Sequence, residues 1–127
     1  MYFNSIQVTL SWYDPPNEVF SAKCLLHDLD VVVTDPSGQI YYGNSHGSKR
    51  DELNNNEQVF VSTPTIGAWT VSVQSKLLSE SLAQNYSLVI TTIGVVVSIV
   101  TINGFTVIMI HSLCLLLFRI LPLPLRH

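Results

Sequence analysis

Two aspartates, Asp28 and Asp30, open the run HDLDVVV. In an extended chain, side chains two residues apart share a face, so both carboxylates project from one side of a strand. Like charges so placed repel, and a hard cation with oxygen ligands relieves them. The polar stretch RDELNNNE offers further oxygens from Asp51, Asn54, Asn55 and Glu57. The candidate site is therefore a structural calcium centre drawn from Asp28, Asp30, Asp51, Asn55 and Glu57. The spacing is not that of an EF-hand loop. The plainer alternative is that Asp30 and the asparagines hydrogen-bond loop backbone, as short polar side chains readily do. An ion here would clip the loop onto the sheet and stabilise the folded chain by mass action.

Other chemistry finds little support. A nucleophilic serine needs a base beside it, and His27, His46, His111 and His127 lie in no recognisable nucleophile–base pattern. No Cys/His cluster suits zinc. Cys24 sits in the polar part and Cys114 in an apolar tail, so they read as isolated thiols, not a disulfide framework. Gly38, Gly43 and Gly67 are separated by strand-like runs and read as turn glycines, not as a phosphate loop. Asn85-Tyr86-Ser87 is an N-glycosylation sequon, usable only on a lumenal domain. The net charge is −3, which gives no footprint for nucleic acid.

The elements that must position these residues are strands. In SIQVTLSW, Ile6, Val8, Leu10 and Trp12 alternate with Gln7, Thr9 and Ser11, the period of a half-buried strand. Two prolines in YDPPNE end it. DLDVVVT is the second strand, with Leu29, Val31 and Val33 on the face opposite Asp28, Asp30 and Val32. DPSG then makes a type I turn. QIYYGN, EQVFVS, TIGAWTVSVQ and QNYSLVIT follow as further strands. Trp12 and Trp69 fall on core faces, while Tyr41 and Tyr42 point to opposite sides. SKLLSESLAQ has room for one helical turn. About six short strands with frequent turn signals make an all-β fold, an antiparallel jelly roll or β-sandwich, over residues 1–92.

The tail differs. Residues 1–92 hold all nine acids and four of the six bases, a net charge of −5. Ile93 to Phe118 is a run of 26 residues without a formal charge. About 20 apolar residues span a bilayer as a helix. Residues 93–121 are thus expected to form a transmembrane helix, followed by a short basic tail at 122–127. Arg119 and Arg126 follow the run, which places the β domain outside the cell or in a lumen. A final buried strand, or a stretch wrongly joined to the coding sequence, are the competing readings. The start, MYFNSIQV, lacks a basic segment before an apolar one, so no signal peptide is read there.

Taken in order, VTLSWYDPP, HDLDVVVTDPSGQIYYGN, LNNNEQVFV, PTIGAWTVSVQS and QNYSLVIT form a pattern. It resembles the β-jelly-roll domain that follows the catalytic domain in subtilisin-like serine proteases, and more distantly the P domain of proprotein convertases. The likeness covers Gln7 to Thr91. The chain departs from it at His27, where the family favours Asn, and at Asn56, where it favours Val. The family's serine lies in a G-T-S-M-A-like stretch, and no such stretch occurs. The resemblance implies a non-catalytic accessory domain that packs on and stabilises an upstream catalytic domain. It also implies a bound calcium ion. The competing class is a membrane-anchored β-sandwich that binds a protein or glycan.

Overall fold

The computed structural model describes residues 5–16, 19, 25–45, 49–78, 84–93, 98–102, 105–109 and 114–120. The first six strands are β1 (Ser5–Trp12), β2 (His27–Thr34), β3 (Ile40–Tyr42), β4 (Asn56–Ser62), β5 (Gly67–Leu78) and β6 (Tyr86–Ile93). They form two antiparallel three-stranded sheets. In one, β1 lies between β4 and β6; in the other, β2 lies between β3 and β5.

The alternating pattern explains why the sheets meet face to face. Ile6, Val8, Leu10, Trp12, Val59, Tyr86, Leu88 and Ile90 point inward from the first sheet. Leu29, Val31, Val33, Trp69, Val71 and Val73 meet them from the second, with Leu25 beside them. Each such side chain contributes about 1.5–3 kcal/mol by leaving water. Trp12 and Trp69 are both core residues, at 4% and 2% exposure. Tyr41 packs against this core and stacks on Trp69, ring centroids 6.3 Å apart.

Two elements depart from the alternating pattern. β2 is buried on both faces, because Asp28 and Asp30 on its outer side are as covered as Val31 on its inner side. In the segment with room for one helical turn, Ser75 to Leu78 continue β5, and Leu77 and Leu78 pair with Asp28 and His27. The register shifts between Asp28 and Leu29, an irregularity that lets the long strand follow β2 to its end. Residues 79–83 of that segment lie outside the described residues.

The apolar tail is described as three strands, β7 (Ser98–Ile102), β8 (Phe105–Met109) and β9 (Cys114–Ile120). β9 extends the first sheet beside β6, and β7 joins β5 in a parallel pair with β8 beyond it. Among the described residues, no helix is long and apolar enough to cross a membrane. Residues 94–97, 103–104, 110–113 and 121–127 lie outside the described residues, and the helix expected over 93–121 falls partly on them.

Candidate functional site

The five calcium candidates occupy four settings. Asp30 lies on the outer face of β2, where its carboxylate meets the Arg50 guanidinium, Nη1 to Oδ2, at 3.5 Å. Arg50 also donates from Nη2 to the Gln74 amide oxygen at 3.3 Å and lies over the Tyr42 ring, 5.7 Å from its centroid. Gln74 stands directly opposite Asp30 across the β2–β5 ladder. Asp28, two residues back on β2, is likewise buried.

Asp51 organises the loop before β4. Its Oδ1 accepts from the backbone amides of Leu53 and Asn54, and its Oδ2 accepts from the side-chain amides of Asn44 and Asn54. Partial burial pushes its acidity down, but these four donors outweigh it and hold the carboxyl below the usual range. Asn55 ties the loop to β1: its Nδ2 donates to the Trp12 carbonyl, and its own carbonyl accepts from the Trp12 amide.

Glu57 points inward from β4, 1% exposed. Its Oε2 accepts from the Val31 amide at 2.8 Å, joining β4 to the second sheet. Among the described residues Oε1 has no hydrogen-bond partner. Burial pushes this carboxyl up, the Val31 amide pulls it down, and the charges of Asp30, Asp51 and Asp28 push it up again, to about 8. At neutral pH the group is therefore mainly a carboxylic acid. Gly43 leaves the room for it: a Cβ there would stand 2.7 Å from the Glu57 Cβ and 2.8 Å from Val31 Cγ1.

The electrostatics thus link all four carboxylates, but the geometry does not converge them on a point. Asp30 is paired with an internal cation, Asp51 is saturated by amides, Asn55 is committed to Trp12, and Glu57 faces the core. Among the described residues, no three His, Cys, Asp or Glu side chains stand where they would share a metal ion. As arranged, the described carboxylates offer no common centre for a cation.

Three contributors were not among the candidate residues. Arg50 sits in a charged loop that reads as solvated surface. Asn44, at φ +55°, bridges the sheets: its amide donates to the Gln58 carbonyl, its Oδ1 accepts from the Gln58 amide, and its Nδ2 donates to the Asn56 carbonyl. Asp14, in the first of the ordered motifs but given no role there, accepts from the amides of Leu26 and His27 at 2.9 and 2.8 Å. Around it the Trp12 indole donates to the His27 carbonyl, and Gln84 donates to the carbonyls of Tyr13 and Asn85. That orientation makes Gln84 Oε1 an acceptor, so His27 Nδ1, 2.6 Å away, carries the hydrogen. These bonds hold the ends of β1, β2 and β6 together.

No known protein family matches the chain, and no curated protein matches it either.

Proposed function

We propose that residues 1–92 are the accessory jelly-roll domain of a subtilisin-like serine protease, a non-catalytic unit that stabilises an upstream catalytic domain. The observation that carries this reading is where the residues of the ordered motifs fall. Trp12 and Asp14 of the first motif, Asn55 and Glu57 of the third, and Gly43 and Asn44 of the second each make a specific contact between separate strands or loops. A chance run of alternating strands has no reason to place its motif residues at such joints. The membrane anchor expected from the apolar run is kept apart from this reading, because the described tail residues lie in strands beside the sandwich. Alkaline carbonate extraction of the expressed chain separates the two uses: retention in the pellet supports an anchor, and release supports edge strands.

The test of the domain assignment starts upstream of the Met1 codon. An in-frame domain with an Asp, His and Ser triad supports the protease reading; further β-sandwiches without one support a binding or adhesion module. In the joined enzyme, Asp14→Ala is expected to shorten the half-life of proteolysis at raised temperature with kcat/KM at 25 °C unchanged. An unchanged half-life would count against a stabilising role.

A further inference from the structure

We infer that Arg50 is the built-in counter-cation of the outer β2 face, doing there the work of the calcium ion that the resemblance implies and making this sandwich independent of calcium. The need for a cation is set by Asp30, a carboxylate 2% exposed on the face that also carries Asp28. A buried carboxylate is costly unless a positive charge and hydrogen bonds accompany it. The Arg50 guanidinium meets that need from the loop. It reaches Asp30 Oδ2 with one nitrogen and Gln74 Oε1 with another, while its plane lies over Tyr42. Asp30, Gln74 and Tyr42 belong to β2, β5 and β3, so one side chain ties the loop before β4 to three adjacent strands of the sheet. That is the work a structural ion does when it clips a loop to a sheet. A planar guanidinium is well suited to it, being permanently charged, weakly hydrated and able to donate in two directions at once.

The rest of the candidate set agrees. The Asp51 carboxylate takes its four hydrogen bonds from amides, which stabilise negative charge without a metal. Glu57 lowers the negative charge of the region by keeping its proton. Asp30, Asp51 and Glu57 are thus each accommodated by a different local device.

The experiment compares thermal unfolding of the full chain and of Arg50→Met in millimolar calcium and in chelator. The native chain is expected to melt at the same temperature in both. Arg50→Met is expected to melt roughly 10 °C lower in chelator, with calcium restoring part of the loss by supplying positive charge beside Asp30. A double variant, Asp30→Asn with Arg50→Met, removes both charges and is expected to melt near the native value without responding to calcium. It also serves if the single variant does not fold. A calcium-dependent rise of several degrees in the native chain overturns the inference. So does an Arg50→Met chain that melts like the native one, or one whose loss is identical with and without calcium, since the side chain then acts by packing alone.

Discussion

Glu57 shows how one buried side chain sets the response of the whole chain to pH. Folding raises its pKa from 4.5 to about 8. Below pH 4.5 the carboxyl is protonated in both states, and it carries no penalty. Above that, the unfolded chain releases a proton that the folded chain keeps, so stability falls as pH climbs towards 8 and levels off beyond it. The slope within the window is at most about 1.4 kcal/mol per pH unit. Urea midpoints at pH 5 and pH 8 measure it, and Glu57→Gln, which keeps an acceptor for the Val31 amide, is expected to flatten the difference. Gly43 is the complementary test. Its φ is not the issue; the space is. Gly43→Ala drives a methyl into Glu57 and Val31, and overpacking of this kind costs about 1–3 kcal/mol. The expected outcome is a lower urea midpoint with an unchanged slope, and a midpoint equal to the native one would show that the strand edge yields freely.

At the scale of elements, most of the sheet was legible because alternation is a local signal. Ile6 to Trp12 and Trp69 to Val73 declare their inward faces in the sequence, and both lie in the core as that pattern requires. The double burial of β2 was not legible. Nothing in HDLDVVV says that its polar side is covered, and Arg50, which meets Asp30 there, lies twenty positions on in a polar loop. The extension of β5 was hidden for the same reason: Ser75 to Leu78 have no strand signature, and only pairing with His27 to Leu29 makes them one. The calcium candidates are also split at this scale, since Asp28 and Asp30 face outward from the second sheet while Glu57 faces inward from the first. Side-chain ties between elements were equally invisible, and they carry stability. Asp14 accepts two backbone amides that open β2. Bonds to a charged acceptor contribute about 1.5–3 kcal/mol each, so Asp14→Ala is expected to cost roughly 3 kcal/mol or more. Faster amide exchange at Leu26 and His27 than elsewhere in β2 would locate the damage; uniform exchange across the strand would indicate that Asp14 is not the tie.

At the scale of the molecule, the decisive relation is between the six-stranded sandwich and the apolar tail. Among the residues whose burial is described, the buried cluster runs from Ile6 to Ile90 and draws on both sheets of the six-stranded sandwich. The tail strands instead occupy edges: β9 pairs along seven residues of β6, and β7 along five of β5. Hydrophobic burial between the sheets is what stabilises a sandwich, whereas an uncovered edge chiefly invites pairing with another chain. A chain ending at Ile93 is therefore expected to keep a cooperative thermal transition and a native near-ultraviolet spectrum, but to self-associate as its concentration rises. Size-exclusion chromatography over a dilution series reads the association, and the spectrum reads the core. Association should weaken when Lys replaces Val89 or Thr91, which are partly exposed on the outer side of β6, because edge charges are a common guard against strand addition. A truncated chain that melts without cooperativity would place the tail within the folding unit, and the division of the molecule at residue 92 would have to be given up.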